Sequence, residues 1–296
     1  MLSTLPMTLT YVFLVSTMLA IGMAVTASEV VAAFLRRRRI ILALLGNLVL
    51  VPLLGIAVIR AFAFDRDVAT AVLLLAAAPG GLTAVQFTGK VKGGMALAAV
   101  MAFVLTVVAI PLTPLVARAI LPHDKWLSVP YARVAVIVAL CVVLPLISGF
   151  LLRRPLGRLA GRIVIALLVV SNVSFVATIV ATARLKKEAM RSLGAPVIAG
   201  LLLLVLGSMA IGWLLGGPER GSRRVMTIAT SMRNAGLCLM AVEQSFPDTR
   251  MDAVVIAFMG LMVPPNMLFA LYHAVRDGQL AKRTRAADAS KTRAVL

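Results

Sequence analysis

The chain contains uninterrupted apolar runs about as long as a lipid bilayer is thick. Residues 40–59 read IILALLGNLVLVPLLGIAVI, and residues 195–216 read APVIAGLLLLVLGSMAIGWLLG. A hydrocarbon core about 30 Å thick is crossed by roughly 20 helical residues, so each run is one membrane-spanning helix. The runs are continuous and do not alternate, which argues against a transmembrane β-barrel. Of the 296 residues 61% are hydrophobic, against about 45–50% in soluble domains. These features predict an all-α polytopic membrane protein. No cleavable signal peptide is expected, because residues 1–10 hold no Lys or Arg and so lack a positive n-region.

Nine apolar segments follow, at about 8–34, 39–63, 66–90, 94–121, 129–152, 158–184, 193–216, 220–246 and 250–274. The net charge of +19 fits the positive-inside rule better than a nucleic-acid partner, provided the charges are unevenly placed. With the N-terminus outside, 19 Lys and Arg fall on the cytoplasmic side and 10 on the outer side, and Arg233 is left over within a span. The expected orientation is N-out, C-in. The loop RLKKEAMR (184–191) fits this least well. Residues 276–296 are polar and basic and are expected to form a disordered cytoplasmic tail beside anionic lipid headgroups. Residues 1–275 then form a single transmembrane domain.

Two segments are interrupted. In the third (66–90), Pro79, Gly80 and Gly81 break the helix, because proline removes a backbone donor and glycine disfavours helix. The polar residues Thr83, Gln86 and Thr88 follow. The eighth (220–246) breaks near Ser231–Gly236, in the sequence TSMRNAG. Each interrupted segment is followed by one further span, so the halves 8–121 and 129–274 have matching order. Segment 5 (129–152) is an extra helix ahead of the four-segment set at 158–274. The offset of five segments makes the sets opposite in orientation, which is an inverted repeat. Paired broken helices in corresponding positions point to a transport site near the membrane midplane.

Three stretches carry a family resemblance: MLAIGMAVTASEVVAAFLRR (18–37), AAAPGGLTAVQFTGKVKGGMALAAVMAFVLTVVAIPLTPLV (76–116) and TSMRNAGLCLMAVEQSFP (230–247). Together they resemble the bile acid:sodium symporter family over about residues 10–275. The resemblance implies a core part with two crossing broken helices (segments 2–4 and 7–9). It also implies a panel part (segments 1, 5 and 6) that moves against the core. It implies alternating-access transport of an organic anion, such as a bile acid, a sterol conjugate or a small carboxylate.

The chain departs from the family where sodium binds. At the second break the family's sodium-ligating glutamate and glutamine correspond to Ala229 and Arg233. After the first break its Ser-Asn pair corresponds to Ala84 and Val85, and its hydroxyl ligands on the next helix correspond to Ala98 and Ala102. A hard cation needs several oxygens, so sodium is a doubtful ligand, although Thr83, Gln86 and Thr230 remain available to it. Arg233 follows the first half-helix of segment 8, whose C-terminus carries a partial negative charge. A guanidinium there is expected to stand in for sodium as a tethered cation, and to favour an anionic substrate without sodium coupling.

The other candidate substrate contacts are Asn234, Thr83, Gln86 and Asn172, with Asn234 first of all a helix cap. Ser171, Ser174 and Thr178 cluster with Asn172, either lining a cavity or bonding between helices. Asn266, after Pro264 and Pro265, is expected to hydrogen-bond between helices. Glu29 is expected in a surface ion pair. Glu243 lies ten residues beyond Arg233, about 15 Å along a helix, too far to pair with it. His123 and His273 sit at segment ends, and no carboxylate pair or metal-ligand spacing supports an enzyme. No cofactor is expected. Cys141 and Cys238 lie inside apolar runs and imply no disulfide framework. The abundance of Ala, Val and Arg suggests a bacterial inner membrane.

Overall fold

The structure is a computed structural model describing residues 5–29, 31, 37–79, 101, 103–105, 136, 139–246 and 249–295. The described residues form helices and connecting turns. Seven of the described helices are long and apolar enough to cross a membrane. The expected fourth span (94–121) and the second half of the third fall largely outside the described residues. So do Gly80, Gly81, Thr83, Ala84, Val85, Gln86, Thr88, Ala98, Ala102 and His123.

The helices fall into two groups. The smaller contains α1 (Leu5–Ala24), α5 (Leu144–Leu156, entered through a π turn at Ala139–Val143) and α6 (Arg158–Leu185). All three pack on one another. The backbones of α1 and α5 touch because each presents a glycine. A Cβ on Gly22 would lie 2.1 Å from the Leu146 carbonyl oxygen, and one on Gly149 would lie 2.3 Å from that of Leu19. Close packing of this kind supplies much of the association free energy in lipid, where the hydrophobic effect between helices is absent. The opposite face of α6 exposes Ile165, Val169, Val176 and Val180, as a lipid-facing surface would.

The larger group contains α2 (Arg37–Leu45), a π turn (Gly46–Leu50), α3 (Val51–Phe62) and α4 (Arg66–Ala77). It continues with α8 (Ala195–Leu215), α9 (Arg220–Ser231), α10 (Ala235–Ser245) and α11 (Met251–Val295). The short α7 (Lys187–Arg191) links the groups and packs on α11. Further packing between the groups joins α1 to α10 and α6 to α11.

One expectation, for Glu29, is corrected here. The backbone of α11 continues as helix to Val295, and the Ala, Lys and Arg residues after position 275 are strong helix formers. Pro264 and Pro265 lie inside that same helix. Among the described residues Glu29 has no ion-pair partner; it forms a capping box. Its carboxylate accepts from the Thr26 amide at 2.9 Å and from the Thr26 hydroxyl at 2.7 Å, while its own amide donates back to Thr26 Oγ1 at 3.2 Å.

Candidate functional site around Arg233

Two half-helices end against each other. The first, α4, starts on Asp65, whose side chain accepts from the amides of Asp67 and Val68, and stops at Ala77 just before Pro79. The second, α9, stops at Ser231, and α10 resumes at Ala235. The break is therefore Met232–Asn234. The two interruptions touch through their main chains, since the Asn234 amide donates to the Ala78 carbonyl at 3.1 Å. Asn234 caps α10 as expected, its Oδ1 accepting from the Leu237 amide at 3.2 Å.

Gly236, expected within the break, lies instead in the first turn of α10. Its role is close approach: a Cβ there would meet the Phe13 ring of α1 at 2.6 Å. Ser231 ends α9 and donates to Asn266 Oδ1 at 2.7 Å, while Asn266 Nδ2 donates to the Met262 carbonyl at 2.8 Å. The expected interhelical role of Asn266 is thus present.

Arg233 fills the space between these ends and is 2% exposed. Its Nε donates to the Leu75 carbonyl at 3.1 Å. One terminal nitrogen, Nη1, donates to Asn47 Oδ1 at 2.7 Å and to the Thr230 carbonyl at 3.5 Å. The other, Nη2, donates to the Asn47 carbonyl at 3.3 Å and to the Ala76 carbonyl. A guanidinium has five N–H donors, and all five are engaged here. Leu75 and Ala76 lie in the last turn of α4, and Thr230 in the last turn of α9, so Arg233 sits where two negative helix termini converge. Every acceptor is a neutral oxygen. Among the described residues no carboxylate is a hydrogen-bond partner of Arg233, so the described cluster holds one full positive charge.

In this conformation no Arg233 N–H is left to bind a substrate directly. The acceptors are chiefly backbone carbonyls. Asn172 is not brought to the cluster either. It lies on the exposed face of α6 in line with Val169 and Val176, roughly 100° from Ser171. Ser171 faces α1 and shares a 2.5 Å hydrogen bond with Thr17. Ala229 is buried in α9 and supplies no side-chain oxygen. Glu243, toward the far end of α10, is absent from the Arg233 partners; its charged neighbours are Asp252 and Lys186. His273 is buried among Trp213, Phe269 and Tyr272. Cys141 and Cys238 are free thiols, and Cys238 donates to the Leu74 carbonyl at 3.5 Å.

The residue that sequence reasoning missed is Asn47. Besides its two contacts to Arg233, its Nδ2 donates to the Ala43 carbonyl at 3.0 Å and to Thr230 Oγ1 at 3.4 Å. It sits on the π turn Gly46–Leu50, a distortion common at functional sites. The available signal was an amide at the centre of the apolar run 40–59, after Gly46 and shortly before Pro52.

Comparison with known proteins agrees with the resemblance. Residues 11–193 match the Sodium Bile acid symporter family, a stretch that ends before the second broken helix. The chain is 22% identical over 277 residues to the uncharacterized sodium-dependent transporter YocS of Bacillus subtilis (strain 168), covering 91% of this chain and 81% of that protein. It is 28% identical over 271 residues to the sodium/bile acid cotransporter 4 of Rattus norvegicus, covering 88% of this chain but only 60% of the relative. It is 22% identical over 234 residues to the probable chloroplastic sodium/metabolite cotransporter BASS2 of Oryza sativa subsp. japonica, covering 78% and 55%. The family match spans more than half of the sequence, and the chain belongs to the sodium bile acid symporter family, a family of transporters and not of enzymes.

Proposed function

We propose that this protein carries a small organic anion across the membrane by alternating access, with Arg233 taking the place of a coupling sodium ion. The observation that carries this reading is the neutral cage of Arg233. The C-terminal carbonyls of both half-helices already hold a permanent cation, and in broken-helix transporters such carbonyls hold the coupling cation. A cation fixed to the chain cannot be released on the other side, so it cannot drive uphill transport. Its charge acts on the substrate through the field of the site, which favours an anion.

The fuller arrangement belongs to the same proposal. It comprises nine spans in an inverted repeat with core and panel parts, N-out and C-in orientation, a bacterial inner membrane, and a basic end of α11 beside anionic headgroups. A second reading, sodium-coupled symport, is favoured by the relatives, which are named as sodium-dependent or sodium/bile acid transporters.

Uptake of radiolabelled organic anions into proteoliposomes, in sodium and in choline buffer, separates the two. The probe panel is taurocholate, pantoate and pyruvate. Equal uptake in both buffers, lost in Arg233→Gln, is the expected result. Uptake that requires sodium in the unaltered protein contradicts the proposal.

A further inference from the structure

The lipid-facing ridge of α6 does not start apolar. One stripe runs through Arg158, Arg162, Ile165, Val169, Val173 and Val176, each three or four residues from the last, and all six are exposed. A similar ridge lies on α5, where Leu144, Ile147 and Leu151 lead to the exposed Arg154. Only Gly157, with a φ of +48°, separates α5 from α6. Both ridges therefore run into one turn, and both become basic there.

These three arginines have no acidic partner. Among the described residues, none of them has a carboxylate within ion-pair distance. Arg153 differs: it is half-buried, and its Nη1 donates to the Met23 carbonyl at 2.5 Å. Helix stability does not account for all three either. Arg154 lies in the last turn of α5, where a cation is favoured. Arg158 opens α6, where the helix dipole disfavours a cation and no acidic residue in the first turn compensates. The positive-inside rule asks for basic residues near the ends of spans. It does not ask that they continue an apolar ridge.

A phospholipid has the matching layout, an anionic phosphate joined to apolar chains. Guanidinium groups bind phosphate through paired N–H donors. We propose that the turn between α5 and α6 is a binding site for an anionic phospholipid, its headgroup held by Arg154, Arg158 and Arg162 and its acyl chains lying along the two ridges. The occupant is a lipid and not a free phosphate, because large apolar side chains border the arginines: Leu151 is 64% exposed and Ile165 65%. The proposal rests on the chain spanning a membrane, and neither on the role of Arg233 nor on what is transported.

The test reads which lipid stands next to the turn. In the full chain with Cys141→Ala and Cys238→Ala, Leu159→Cys, exposed beside Arg158, carries a fluorophore. The protein is placed in phosphatidylcholine vesicles, and quenching by spin-labelled phosphatidylglycerol is compared with quenching by spin-labelled phosphatidylcholine. Phosphatidylglycerol should be preferred by about tenfold, as expected for a few arginines at an anionic headgroup. Arg158→Gln with Arg162→Gln should abolish the preference, and the same two positions changed to Lys should keep part of it. Arg37→Gln with Arg38→Gln, an exposed pair on α2, should leave it unchanged. The substituted arginines are exposed, so the melting temperature in phosphatidylcholine should not move. Equal quenching by the two lipids overturns the proposal, as does a preference that survives Arg158→Gln with Arg162→Gln. An equal loss in the Arg37 and Arg38 variant also overturns it, because overall charge alone would then attract the lipid. So does displacement of the quencher by soluble glycerol phosphate, which would make this a site for free phosphate.

Discussion

Two buried arginines nine positions apart lead opposite electrostatic lives. Arg224 is 6% exposed and faces Asp277 through two hydrogen bonds, of 2.6 and 3.1 Å. Its charge is cancelled within the same helical group, and bidentate geometry of this kind holds helices together. Arg233 is 2% exposed, and carbonyls and one amide are its acceptors. Its hydrogen bonds are satisfied, but its charge is not. An arginine at bilayer depth is expensive, by about 2.5–3.5 kcal/mol on insertion scales and more in simulations of isolated helices. The comparison teaches that the Arg224–Asp277 pair carries no net charge, whereas the hydrogen-bonded cluster around Arg233 keeps one. Under the proposed reading, a charge kept in that way takes the place of a cation and favours an anion.

The largest break in this contrast is expected from Arg233→Gln. It removes the charge and strands several buried carbonyls, each at about 1–3 kcal/mol. Anion uptake should be lost, and the melting temperature of the purified protein should fall. Arg233→Lys should keep part of the transport, because it keeps the charge while losing the planar fork.

A smaller effect is expected from Asn47→Asp, which gives Arg233 the carboxylate that Arg224 already has. The fold should survive, but KM for an anion should rise about tenfold, equivalent to about 1.4 kcal/mol. An unchanged KM would mean that the Arg233 charge does not reach the substrate.

Asp277→Asn should do the reverse to Arg224. Melting should fall, by about 1–3 kcal/mol for a buried group losing its partner, while KM stays unchanged. The smallest effect belongs to Asn234→Ala, which removes one helix cap and should cost about 1 kcal/mol by the same melting assay.

The parts of this picture legible in the sequence are those written in local chemistry. Continuous apolar runs dictate spans, Pro79 stops α4, and the polar pair Arg233–Asn234 marks the second break. What was illegible depends on which side of a helix a residue faces. Asn172 stands beside Ser171 in the sequence, yet one faces outward and the other bonds to Thr17. Gly236 looked like a helix breaker because nothing local reveals the Phe13 ring packed on it. Asn47 was overlooked because an amide in an apolar run reads as a generic interhelical contact. Its partner lies 186 positions away.

The central claim is that Arg233 stands where a sodium ion would otherwise sit, and sodium binding itself is the most direct test. The measurement is thermal melting of the purified protein across a sodium titration, with choline keeping ionic strength constant. An ion that binds the folded state raises the melting temperature with its concentration. The account predicts a melting temperature indifferent to sodium in the unaltered protein. A sodium-dependent rise that choline does not reproduce would contradict it.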